Sequence, residues 1–208
     1  MYVRTTEVRG DPARVDDGAR VVREEIFPQV TAMDGCIGMS LLTDHGTGRC
    51  VATTAWQSED AMLTSDAAVR PLRERAERAL GSSGPSAVHQ WEVAVVHRDH
   101  ASPDGSCAHL TWMSCDPSAV DHAVDLHRMV ALAQLEDLGG FCSTSLMVDR
   151  ETGRIVATDV FDSSTSIAAC RDDLVRLHGR IADDLGATVD RAEEMEVAIA
   201  HLHVPEMA

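Results

Sequence analysis

Two histidines, His97 and His201, close the same pattern, Glu-Val-Ala-x-x-His, which begins at Glu92 and again at Glu196. Imidazole is the side chain whose ordinary pKa allows proton exchange near neutral pH, so these positions can carry acid–base chemistry as well as purely structural or surface roles. Six cysteines (Cys36, Cys50, Cys107, Cys115, Cys142 and Cys170) form no C-x-x-C pair and no metal-ligand spacing with a histidine. A structural zinc site is therefore not expected, and no metal is assigned. The pattern D-x-x-T-G-R occurs at Asp44–Arg49 and Asp149–Arg154. An acidic residue able to bond its own backbone and a glycine free to take positive φ suit a tight hairpin. A phosphate-binding loop needs other spacing and a following helix.

These patterns recur because the chain is duplicated. Residues 35–81 align with 140–186 without a gap at an offset of 105, and 15 of the 47 positions are identical. A fixed internal period makes the repeat the architectural unit.

Each repeat reads as strand, helix, strand, strand, helix, strand. Asp11-Pro12 and Asp116-Pro117 place a capping carboxylate before a first-turn proline. Val15, Ala19, Val22, Ile26 and Val30 follow helical spacing, as do Val120, Val124, His127, Ala131 and Leu135. Two strands joined by D-x-x-T-G-R come next. Ser58 and Ser163 then cap a second helix in each repeat, expected as one piece from Ser58 to Leu80 in the first, and Gly81 and Gly186 close these helices. Gly81–Ser86 resembles a linker, yet its counterpart precedes a final strand, so it is an internal loop. The domains are expected at residues 1–100 and 106–208.

The chain has 208 residues, a net charge of −16 and no lysine. So acidic a surface repels phosphate backbones and anionic lipid heads, which disfavours nucleic acid and membrane partners. Scattered thiols and the lack of a leader pattern lead us to expect a cytoplasmic protein.

A βαββαβ unit of this length is the ferredoxin-like plait, an α+β fold. Two units in one chain can form an intrachain pseudo-dimeric α/β barrel. Val51–Ala61, with its Trp56-x-Ser58-x-x-Ala61 passage, and Gly35 ahead of an alternating strand resemble the antibiotic biosynthesis monooxygenase (ABM) domains of the dimeric α/β barrel group. Repeat two carries Phe161 in place of the tryptophan.

That resemblance implies a small-molecule oxygenase, in its cofactor-independent form a monooxygenase acting on an aromatic or polyphenolic substrate. Such a protein supplies a dry pocket, a proton acceptor and a donor for an oxyanion. His97 and His201 are the candidate catalytic bases. Ser40, Thr53, Ser145 and Thr158 are candidate donors in the substrate site, and Trp56, Trp91, Trp112 and Phe161 its candidate walls. Each also suits a core or strand role. No cofactor is expected. The family's haem-degrading members resemble one another in an Asn on strand one and a Trp and a His on the second helix. This chain has no Asn, and residues 58–80 contain neither Trp nor His; haem held by another histidine is the open alternative. The partner expected is a small-molecule ligand, with the pseudo-dimer inside the chain and room for a homodimer. A non-catalytic binding or sensing module and a structural assembly protein are the alternative functions.

Overall fold

A computed structural model describes residues 1–202, the side chain of residue 202 excepted. The described residues form eight strands: β1 (Tyr2–Arg9), β2 (Cys36–Asp44), β3 (Arg49–Trp56), β4 (Ala87–Arg98), β5 (Cys107–Ser114), β6 (Phe141–Asp149), β7 (Arg154–Phe161) and β8 (Thr188–Leu202). The helices are α1 (Val15–Val21), α2 (Phe27–Thr31), α3 (Glu59–Thr64), α4 (Asp66–Leu80), α5 (Val120–Leu126), α6 (Leu132–Glu136) and α7 (Ser164–Leu185). The order is the α+β one of two ferredoxin-like repeats, and the strands follow the closed order β1-β3-β2-β8-β5-β7-β6-β4. No described helix is long and apolar enough to cross a membrane.

Contacts divide the described residues into two units, 1–91 with 197–202, and 92–196. Both β4 and β8 therefore contribute residues to each unit. In the first unit, β3 lies between β1 and β2, all antiparallel. In the second, β7 lies between β5 and β6, and β5 also pairs with β8.

The punctuation works as its chemistry requires. The Asp11 and Asp116 side chains accept from the Ala13 and Ser118 amides at 2.9 Å. Ser58 and Ser163 accept from the Ala61 and Ser166 amides, at 3.1 and 3.2 Å. In both D-x-x-T-G-R turns the aspartate accepts from two following amides and from the threonine hydroxyl. The turn glycines, Gly48 and Gly153, both stand at φ 72°.

Two features depart from regular helices. Val22–Ile26 and His127–Ala131 are π-helical turns at the same place in the two repeats, where the spacing alone reads as continuous α-helix. The first repeat's second helix is broken at Ser65. Its hydroxyl donates back to the Met62 carbonyl at 2.7 Å, a local bond that competes with helix continuation. In α7, which runs unbroken, Cys170 replaces that serine.

Each core lies between helices and one face of the sheet. Val15, Val22, Ile26 and Val30 pack with Met39, Leu41, Leu72 and Leu80 in the first unit. Phe141, Phe161, Ile167, Leu174 and Leu177 pack together in the second, with Leu135.

Candidate functional site

Side chains alternate across a strand, and here the alternation sorts the residues with chemical potential. Arg4, Met39, Thr54 and Trp56 face the helices in the first unit. Ser40 and Thr53 are cross-strand partners on the opposite face, with Thr5 beside Thr53. Ser145 and Thr158 pair in the same way in the second unit. The hydroxyl candidates are thus brought together two by two, but away from the helix-facing interior.

The other candidates are dispersed. Trp91 is buried and donates its indole N–H to Thr5 Oγ1 at 2.9 Å. Trp112 donates to Glu193 at 3.2 Å beneath the Arg191 guanidinium. Phe161 meets Phe141 edge-on, ring centroids 5.9 Å apart. His97 Nε2 lies 2.9 Å from Glu136 Oε1. His201 is exposed, its ring 5.2 Å from that of Phe27. Trp56, wholly buried, donates to Thr54 Oγ1 at 3.1 Å and packs on Met62 and Val69.

A cavity of about 50 Å³ lies between helices and sheet in the first unit. Val22, Ile26 and Val30 from the first helical stretch, Met39 and Leu41 from β2, and Leu72 and Leu80 from α4 make its apolar wall. The π-turn carries Val22 and Ile26 into that wall, and π-turns recur where a helix re-aims side chains at a site. Thr6, Thr54 and Arg73 supply its polar lining, and no described lining residue is Asp, Glu or His. Arg73 Nη2 is 3.4 Å from Asp66 Oδ1. Asp66 is also 3.8 Å from Arg4, whose fully buried guanidinium donates to the Ser65 hydroxyl and the Met62 carbonyl. Arg70 Nη2 is 3.2 Å from Asp66 Oδ2 as well, so three guanidiniums share one carboxylate beside an apolar cavity, which makes its Arg73 side favourable to an anion.

The same places in the second repeat hold different chemistry. At the 105-residue offset, Val22, Met39, Thr54, Arg4 and Arg73 become His127, Thr144, Asp159, His109 and His178. Every one of these five is buried. Thr144 donates to Asp159 Oδ1 at 2.7 Å, and His178 Nε2 lies 2.8 Å from Asp159 Oδ2. His127 Nε2 is 3.1 Å from Thr144 Oγ1. Since the threonine proton points at Asp159, His127 must donate, which assigns its proton to Nε2. The His109 and His178 rings lie nearly parallel, 6.2 Å apart.

The electrostatics follow from burial and pairing. Burial pushes His127 down to about 4, so it is neutral. His109 is also lowered, chiefly by burial. Burial alone would raise Asp159, but the charge and hydrogen bond of His178, with His127 and Thr144, hold it below its ordinary value. The aspartate is therefore an anion inside the protein, with two donors on its two oxygens.

No motif singles out any of the five. The available signal is the internal alignment itself: at five interior positions one repeat places His, Thr or Asp where the other places Val, Met, Thr or Arg.

Comparison with known proteins bears on both repeats. The family description "Antibiotic biosynthesis monooxygenase" matches residues 1–67, within the repeat that holds the cavity. Uncharacterized protein Rv2558 of Mycobacterium tuberculosis strain H37Rv is 42% identical over 208 residues, covering 100% of this chain and 87% of that one. An anthrone oxidase-like protein superimposes with a TM-score of 0.67 at 15% identity, covering 96% of this chain and 92% of the other. A heme-degrading enzyme from Listeria monocytogenes gives 0.53 at 9% identity, with coverage of 94% and 99%. At these identities the two structures speak to fold alone.

Proposed function

We propose, from the match of residues 1–67 to the antibiotic biosynthesis monooxygenase family, that the first repeat binds a small aromatic molecule as an anion and presents it to dioxygen. The observation that carries this reading is the apolar cavity ending on Arg73 and Thr54. An aromatic body would lie against Val22, Ile26, Met39 and Leu72, and its oxyanion would meet the Arg73 guanidinium.

The cavity wall offers no proton acceptor, so the substrate must be acidic enough to ionise in water: a phenol or enol conjugated to a carbonyl. Its anion transfers one electron to O2, and the resulting pair forms a carbon–oxygen bond. The peroxide then loses one oxygen atom as water, turning a CH2 into a ketone. All four electrons required come from the substrate. Trp56, anchored on Thr54, keeps water from this end of the site.

Pockets for drug-sized ligands hold roughly 300 Å³ or more, so a ring enters only as the wall yields. Met39, unbranched and polarizable, and α4, which carries both Leu72 and Arg73, are the parts that would give way.

Oxygen uptake and thermal melts with anthrone and a panel of phenols test the reading. Uptake that Arg73→Leu reduces at least tenfold supports it. Stabilisation without uptake favours a second reading, a binding module, which the absence of a base in the cavity wall recommends. If no compound consumes oxygen or raises the melting temperature, both readings are wrong.

A further inference from the structure

Where β4 ends in the second unit, a thiol, an imidazole and a carboxylate stand in line. Cys142 Sγ lies 3.4 Å from His100 Nε2, and His100 Nδ1 lies 2.8 Å from Asp99 Oδ2. Backbone holds the line together: the Asp99 and His100 amides donate to the Cys142 carbonyl at 2.9 and 3.3 Å. Cys142 is the extra residue of a β-bulge, where β6 slips against β7 between Phe141 and Ser143, and bulges re-aim a side chain. The first repeat has the same slip between Cys36 and Gly38, but Ile37 occupies it.

Nucleophile, base and orienting carboxylate is the order of groups that activates a side chain for covalent chemistry. With its proton on Nδ1 to meet Asp99, neutral His100 turns the Nε2 lone pair to the sulfur. The thiol is buried, and burial, with the Asp162 and Asp99 carboxylates, pushes it up to about 11, so it rests protonated. Contact with His100 supplies what the resting thiol lacks. A proton taken by Nε2 leaves a thiolate beside an imidazolium, the pairing that lowers a cysteine's pKa. His100 also spans from the sulfur to solvent, since its side chain is half exposed. Cys142 itself is out of solvent, so an electrophile that reaches it must be small. Cys36, Cys107, Cys115 and Cys170 turn their thiols to backbone carbonyls instead.

We propose that Cys142 is a site of reversible oxidation by hydrogen peroxide, with His100 as its base and Asp99 positioning His100. Sγ attacks one peroxide oxygen as the thiol proton passes to His100 Nε2. The S–O bond forms, the O–O bond breaks, and the departing hydroxide takes the proton from Nε2 and leaves as water. Sulfur loses two electrons, the peroxide gains them, and the product is a sulfenic acid. The step uses nothing from the first repeat, and stands or falls apart from the reading of its cavity.

In the test, the whole chain is treated with hydrogen peroxide and then unfolded in denaturant containing dimedone, which tags sulfenic acid, so tagging needs no access to the folded site. Cleavage after arginine isolates Cys142 in residues 129–150, and the tag distinguishes its oxidation from that of Met129 and Met147. Cys142 is expected to gain the tag at least tenfold faster than any other cysteine. His100→Ala should slow tagging at least tenfold and Asp99→Asn at least threefold, with recovery in Asp99→Glu. A histidine that merely covers the sulfur gives the opposite result, since removing it admits peroxide and speeds tagging. Both variants replace exposed residues outside the strands, so the fold is kept while the chemistry is changed. No tag on Cys142, equal tagging of all six cysteines, or tagging that either variant leaves unchanged or speeds up overturns the proposal.

Discussion

His178 on α7 and Asp159 on β7 stand 2.8 Å apart, and the carboxylate is wholly out of solvent. A charge so placed is stable only while every neighbour keeps donating to it. Asp159→Ala leaves the Thr144 hydroxyl and the His178 N–H unpaired, and each orphaned group costs about 1–3 kcal/mol. Asp159→Asn keeps an acceptor and costs less. Urea denaturation should rank the two in that order, and equal losses would show that the network is not stabilising.

Acid should attack the same network through His127. Its folded pKa, about 4, lies below the ordinary 6.5, so between those values the unfolded chain binds the extra proton. Stability therefore rises with pH across this window and is lost as pH falls, by about 3 kcal/mol from one end to the other. Denaturation midpoints between about pH 7 and pH 4 should fall less steeply in His127→Gln. An unchanged slope would place the acid sensitivity elsewhere.

Glycine substitutions give a paired test of the backbone. Gly48 sits at φ 72° against the Gly10 carbonyl, and a Cβ there would collide with it. Gly48→Ala should destabilise by about 1–3 kcal/mol. Gly179 lies inside α7, and a Cβ added there would meet only open space. Gly179→Ala should stabilise by about 0.5–1 kcal/mol. Thermal melts that moved both variants in one direction would contradict this account.

The repeat, the caps and the turns were legible in the sequence because each is written locally. Asp44 reaches amides two and three residues away, and Ser58 an amide three away, so spacing alone carries the instruction. The ferredoxin-like class followed from element order. The interior sites did not, because which residues meet depends on strand register and on where a helix lands. Ser145 and Thr158 differ from Thr144 and Asp159 by one residue, and that residue turns a side chain to the other face. His127 reaches Thr144 from a π-turn that its apolar periodicity gives no means of seeing. Arg4 is another such case. It lies in a strand whose alternation marks it as one polar residue among several, yet it is buried under α3 with Ser65 and Asp66 as partners.

β4 and β8 each contribute to both units, and that has a consequence for synthesis on the ribosome. Residues 197–202 belong with residues 1–91, so the unit begun first receives its last strand only after residues 92–196 have been made. The second unit, residues 92–196, is gathered from one continuous stretch. The order in which the units are completed is thus the reverse of the order in which they are started. A nascent chain halted after the first repeat would leave β2 with an open edge, the kind of edge that recruits a strand from a neighbouring molecule.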